Sequence, residues 1–430
     1  MPSNYPSFRW SVPWLILFLE AAFIVLSYFQ YSNTNFSYKD LQDVSHMVIF
    51  GFGFFLTFLK RYSFSSTGFN LLIIVLGVQC SILMEDVSVF LTGIQEDRRN
   101  SITKAAMSVV AVVISVGAVL GKINPMQSIV MTVVEIIVFC VSRWINVHLL
   151  EVSYHVSLMH VHMFGAYFGL AVSTRISEPS PRSEKNASTP KSDLLSMLGT
   201  LSLWVFWPSF NSALAYKRNE AIFSTCLALA VSAVTAFALS ALTTKDGKFR
   251  MTHIHSAALA GGVAVGYAAD KIEQPWIAMI LGLLASVISI LGSFWVKSCF
   301  HPTLRIHDAS GVHSTFGLPA VLGALARVVF SATEMQTQSP SAAYFDFVLL
   351  EVGAFCLTVS IASIAGLITG RHGKTRFTDS CHIFLWGEGC VFLLQLLPCQ
   401  CPLQNTTSVT GVLKCVSMDE YLCRRNSWKH

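Results

Sequence analysis

The sequence predicts an all-α integral membrane protein of about twelve transmembrane helices. Three observations carry that expectation. Hydrophobic residues make up 53% of the 430-residue chain and charged residues only 12%, whereas a soluble domain carries roughly a quarter charged residues to cover its surface. Mean hydropathy is +0.57. Apolar stretches of roughly 20 residues, the length that crosses a bilayer, recur along the chain with short polar breaks between them.

Taken in order, the expected spans are 11–31, 45–60, 66–88, 104–121, 126–149, 157–176, 194–216, 219–243, 253–270, 275–297, 307–331 and 346–370. Each must be helical, because lipid offers no partner for a free backbone N–H or C=O. The first run is too long for a signal-peptide core and has no small-residue cleavage site, so it reads as the first spanning helix. Segment 177–193, SEPSPRSEKNASTPKSD, is Ser/Pro-rich and reads as a mobile linker with six helices on each side. That division is compatible with an inverted-repeat transporter, although no sequence repeat stands out. Small residues at Gly51, Gly53, Gly261, Gly262, Gly266, Gly317 and Gly323 are expected to let helix backbones approach closely.

The breaks set the orientation. Alternate loops hold about 16 Lys and Arg against 7, which makes the richer side, and with it both termini, cytoplasmic. Of the sequons at Asn35, Asn186 and Asn405, only Asn35 then faces outside, as the expected glycosylation site. Cys80, Cys140, Cys226 and Cys356 lie inside apolar runs, where a thiol acts as a small hydrophobe. Six more cysteines crowd into the tail beyond residue 371, which reads as an unstructured cytoplasmic C-terminus of 371–430 after a membrane domain of 1–370. A net charge of +5 with no basic run on a polar domain makes nucleic acid an unlikely partner. No phosphate loop, metal-ligand cluster or nucleophile elbow stands in a suitable context, so no enzyme, cofactor or metal is expected.

Ionisable groups inside apolar runs are the functional candidates, because each costs several kcal/mol to hold there (about 3 on insertion scales). They are Glu20, Glu135, His162, His253, His255, His307, Asp308 and His313. A neutral imidazole is the least costly of these to bury and offers one donor and one acceptor nitrogen. Two imidazoles meeting in an apolar tunnel would polarise a small ligand such as ammonia, but the residues alone do not bring His162 and His313 together.

A resemblance adds what the residues alone cannot. The strings GFGFFLTFLKRYSFSSTGFN (51–70), SVGAVLGK (115–122), HMFGAYFGL (162–170), WPSFNSA (207–213), LAGGVAVG (259–266) and DASGVHSTFG (308–317) resemble the Rh family. That family is the animal branch of the Amt/Mep/Rh ammonium transporters. MTHIHSAALAGGVAVG (251–266) and PWIAMILGLLASVISILG (275–292) are most similar to its Rh blood-group branch. The resemblance covers about residues 10–370. It implies the ammonium-transporter fold with inverted pseudo-repeats, one pore per subunit, and a homotrimer or a heterotrimer with Rh-associated glycoprotein in the plasma membrane. It also implies ammonium or ammonia as the solute, with carbon dioxide a second candidate that no residue requires.

Carried over by motif, His162 and His313 match the family's lumen histidine pair, Phe210 one of two gate phenylalanines with Asn211 beside it, and Asp308 the acidic residue before the second histidine. Two positions depart from the transporting pattern: Met107 stands for the other gate phenylalanine, and Tyr154 for an acidic residue eight before the first histidine. The resemblance therefore implies an ammonia channel through a hydrophobic pore. Its alternative is a non-transporting structural subunit of a membrane complex joined to the cytoskeleton through an adaptor.

Overall fold

The computed structural model describes residues 6–29, 37–58, 63–92, 101–176, 189–244, 246–295, 308–338 and 342–374. Among the described residues each expected span is helical over most of its length, and there is no strand. The helices are α1 (Pro6–Phe29), α2 (Tyr38–His46), α3 (Gly53–Phe55), α4 (Ser63–Thr92), α5 (Ser101–Val119), α6 (Pro125–His148), α7 (Tyr154–Met159), α8 (Val161–Arg175), α9 (Pro190–Ser212), α10 (Arg218–Thr243), α11 (Met251–Gly266), α12 (Pro275–Trp295), α13 (Leu318–Gln338) and α14 (Ala342–Lys374). Eight of the resulting rods are long and apolar enough to cross a membrane on their own among the described residues, with α7 and α8 counting as one.

Burial sorts them into two kinds. The helices α5 and α7–α8 are enclosed along almost their whole length, while α10 and α14 turn most of theirs outward. The outward faces are apolar, with Phe223 and Val234 on α10 and Leu349 and Ile364 on α14 exposed. Water would not tolerate this many exposed aliphatics in one molecule; lipid does.

Two expected spans are not simple helices. The span 45–60 is a relay: α2 runs into a π-helical turn, Met47–Phe52, then α3, then a 3-10 turn, Leu56–Phe58. The carbonyls such a change of pitch releases are satisfied by side chains, as membrane interiors require. Ser196 Oγ donates to the Phe55 carbonyl at 2.9 Å, and Thr57 Oγ1 to the Phe54 carbonyl at 2.6 Å. Gly199 on α9 allows this, since a Cβ there would lie 2.1 Å from the Phe55 nitrogen. A second π-helical turn, His313–Gly317, leads into α13.

Close backbone approach holds for Gly261 and Gly323, while Gly262, Gly266 and Gly317 make room for side chains instead. A Cβ on Gly323 would sit 2.2 Å from the Ala264 carbonyl oxygen, and one on Gly261 2.5 Å from that of Ala228. Gly53 is the exception, with nothing within 4 Å of its Cβ position, so it does not serve packing. The linker is also shorter than expected. Thr189 caps α9 reciprocally with Ser192 and Pro190 takes the first helical position, so residues 190–193 belong to the helix. Asn124, Pro125 and Gln127 start α6 the same way. Of the four in-run cysteines, Cys80 and Cys140 are buried while Cys226 and Cys356 are exposed on the outward faces. The membrane unit extends to Arg376, six residues beyond the expected boundary at 370. Asn35, most of the linker and the Cys-rich tail lie outside the described residues.

Candidate functional site

The site is built on a break. Between α7 and α8, His160 takes a tightened turn (φ −59°, ψ −11°), which frees the Met159 carbonyl. His162 Nδ1 donates to that carbonyl at 3.2 Å. The donor nitrogen is thereby fixed, and Nε2 carries the lone pair. His162 is fully buried, and its Nε2 has no hydrogen-bond partner. Around it stand three aromatic rings. Trp207 stacks on the imidazole at 5.6 Å, Phe210 meets it edge-on at 5.6 Å, and Phe316 stacks at 6.4 Å. Phe316 continues the column to Phe52 at 5.8 Å and Phe55 at 6.0 Å.

The two expected lumen histidines are not in ring contact. His313 opens the second π turn, and its ring lies 5.9 Å from Tyr167. The ring this turn sends to His162 is Phe316, three residues later. Asp308 caps the turn: its carboxylate accepts from the backbone N–H groups of Val312 at 2.8 Å and His313 at 2.7 Å. Its chemistry here is that of a helix start, satisfying orphan donors. Asn211 is a clasp. Its Nδ2 donates to the Gly262 carbonyl at 2.9 Å and to Thr225 Oγ1 at 3.2 Å, and its own carbonyl accepts from His155 Nε2 at 2.9 Å. Phe210, beside it, is fully buried, as is Met107 on α5.

Tyr154 begins α7 in charged company. Its hydroxyl donates to Glu85 at 3.3 Å, Lys104 Nζ stands 4.2 Å above its ring, and the Arg143 guanidinium lies 5.1 Å from it. Arg143 pairs with Glu85 and also donates to Ser108 Oγ at 3.2 Å. The carboxylate expected at 154 is thus replaced by a phenol that two cations flank, with Glu85 of α4 as the nearby anion.

The fold agrees with the comparisons. The model of the Ammonium Transporter Family matches residues 11–376. The chain belongs to the ammonium transporter family. Within that family its relatives are Rh proteins. An RH-like protein of Macaca mulatta is 42% identical over 86% of this chain and 92% of its own length. The human blood group Rh(CE) polypeptide is 39% identical over 91% of this chain and 98% of its own. Among solved structures, the Rh50 protein of Nitrosomonas europaea, described as bearing on conduction by the Rhesus family of channels, superposes with a TM-score of 0.69 at 29% identity, covering 86% of this chain and 94% of its own. This member of the ammonium transporter family is a multi-pass membrane protein and not an enzyme.

Several residues of the transporter's interior escaped the sequence reading. Arg143, Arg327 and Glu85 lie within apolar runs and meet the same criterion that singled out the histidines. Trp207 and Phe316 carried no such signal, being apolar residues among apolar residues. Of the other candidates, Glu135 accepts a hydrogen bond from Ser115 and Glu20 one from Gln79 at 3.2 Å. His253 packs edge-on against Phe294 at 5.4 Å and His255 against Phe55 at 6.2 Å, while His307 lies outside the described residues.

Proposed function

We propose that the chain is a Rh-type channel for neutral ammonia, acting as one subunit of a homo- or heterotrimer in the plasma membrane. One observation carries the reading: a fully buried imidazole with an unpartnered Nε2 stands inside an aromatic column, His162 among Trp207, Phe210 and Phe316. A buried acceptor left without a partner costs about 1–3 kcal/mol. A small N–H donor crossing the column offsets that cost at this atom.

The flanking chemistry selects the neutral form. Lys104 and Arg143 against Tyr154 disfavour an ammonium ion at the outer end of α7, and the apolar column offers no oxygen to replace its hydration. Ammonium gives up its proton before entering. Ammonia passes Met107 and Phe210, donates an N–H to His162 Nε2, and is reprotonated on leaving. Asp308 holds the start of the His313 turn, and Asn211 holds Phe210 in place. Both termini are cytoplasmic and Asn35 carries the outer glycan in this reading. Carbon dioxide is a second solute to be tried.

The test is the intracellular pH change driven by an ammonium chloride gradient, or methylammonium uptake, in cells making the wild type or His162→Leu at matched surface abundance. Loss of one hydrogen bond in the path lowers ammonia flux about tenfold. Equal signals defeat the channel.

A second reading is favoured by Phe316 and Phe55 occupying the column and by the cations at Tyr154: a structural subunit that stabilises a transporting Rh-associated glycoprotein and links to the cytoskeleton through an adaptor. It predicts surface delivery of the chain that depends on the co-expressed glycoprotein, with no flux of its own.

A further inference from the structure

The aromatic column does not end at Phe316. Phe316 meets Phe55 edge-on at 6.0 Å, and Phe55 in turn meets the ring of His255 edge-on, at 6.2 Å and 78°. His255 is 5% exposed, and its Nε2, like that of His162, has no hydrogen-bond partner. The geometry points to His255 as the second imidazole of the path, a hydrogen-bonding station for ammonia on the inner side of a two-phenylalanine plug formed by Phe55 and Phe316.

The spacing is consistent along the helix. His255 lies in the second turn of α11, and Gly262 of the same helix faces Trp207, where a Cβ would lie 2.8 Å from the indole. Seven residues of α-helix separate those levels by about 10 Å. His162 stacks on that indole, so His255 sits about 10 Å closer to the α11 N-terminus, roughly a third of the hydrocarbon thickness. The two imidazoles therefore do not share a proton. Each offers one nitrogen to the column, and the apolar rings between them deny a hydrated ion passage. Ammonia leaves His162, slips past the phenylalanines when they turn, and meets a polar atom again only at His255. No bond to hydrogen breaks in the transit; an N–H···N contact is exchanged for another.

This assignment rests on the channel reading, and the experiment separates the two. Cells making the full chain carry His255→Leu or His255→Gln at matched surface abundance, and the ammonium chloride pH response is read. The leucine variant lowers flux about tenfold, and the glutamine variant, which still hydrogen bonds without titrating, keeps most of it. Unchanged flux in His255→Leu overturns the assignment, and so does an equal loss in His255→Gln. Independently of flux, His255→Cys is treated with methanethiosulfonate-ethylammonium in inside-out and right-side-out vesicles, and peptide mass spectrometry reads the adduct at the substituted position. Labelling from the cytoplasmic face alone is expected. Should the wild type carry no flux, the channel reading falls, and the labelling decides: an adduct from the inner face upholds the placement of His255, and none from either face overturns it.

Discussion

His160 and His162 stand two residues apart and face different interiors. His162 looks into the aromatic column. His160 looks the other way, where its Nδ1 lies 3.3 Å from Asn146 Nδ2 and 3.1 Å from Thr358 Oγ1, and its ring 5.6 Å from Tyr267. Behind it lies a polar cluster. Arg327 Nε donates to Glu351 Oε1 at 3.1 Å, and its Nη1 lies 3.6 Å from Asp270 Oδ1. A small cavity of about 10 Å³ opens there, lined among others by His160, Tyr267, Arg327 and Glu351. One break between α7 and α8 thus serves a region where charges are matched and a region that holds none. The lesson is one of segregation. Matched charges steady the helix ends, while the column keeps only an uncharged acceptor that no ion would find attractive.

The contrast is sharpest at Arg327. Replacing it by Met leaves Glu351 and Asp270 buried without their cation, and breaking such a group costs about 3–5 kcal/mol. Thermal unfolding in detergent should fall accordingly, with surface abundance; a tolerated Arg327→Met would mean that the charges there are not mutually dependent. Next in size is Phe316→Ala. Removing a buried ring costs about 3 kcal/mol, yet it clears the column between His162 and Phe55 and should raise ammonia flux severalfold per surface molecule. Unaltered flux would place the barrier elsewhere.

The paired histidines separate flux from stability. His160→Leu strips Asn146 and Thr358 of a partner and costs about 1–3 kcal/mol of stability with flux per molecule preserved. His162→Leu gives up the Nδ1 bond to the Met159 carbonyl, about 1 kcal/mol of stability, and it alone lowers the flux per molecule. The smallest effect belongs to neither interior. Asp40 pairs with Arg218 at the rim. Burial alone would raise the Asp40 carboxyl, but the Arg218 hydrogen bonds and charge outweigh it and hold it below its ordinary value. A depressed carboxyl stabilises above its unfolded pKa and loses that contribution as pH falls through the folded one. Asp40→Asn should therefore lower stability slightly at pH 7, by less than about 1 kcal/mol because solvent reaches the Arg218 side of the pair, and not at all in strong acid.

The fold was legible because lipid imposes one rule on every span: twenty apolar residues must form a helix. Helix starts were legible in principle too, since Asn124-Pro125 and Thr189-Pro190 carry their caps in the text. The site was half legible. His162 announces itself as an ionisable group in an apolar run. Its neighbour does not, because the π turn at His313–Gly317 alters the register. Each residue added to a helix turns the next side chain by about 100°, so the local change of pitch sets which ring of this turn meets His162: Phe316 does, while His313 meets Tyr167 farther along α8. Hydrophobicity carries no record of that.

Asn211 ties α9 to α10, α11 and α7 at once, directly beside the gate ring of Phe210. A ring fastened next to such a clasp cannot open by carrying its helix along. Opening there is a rotation about the side-chain bonds alone, a movement that belongs to the fast end of protein dynamics, far quicker than the microsecond-to-millisecond rocking of whole domains. Relaxation spectroscopy should then find no slow open and shut states at this constriction.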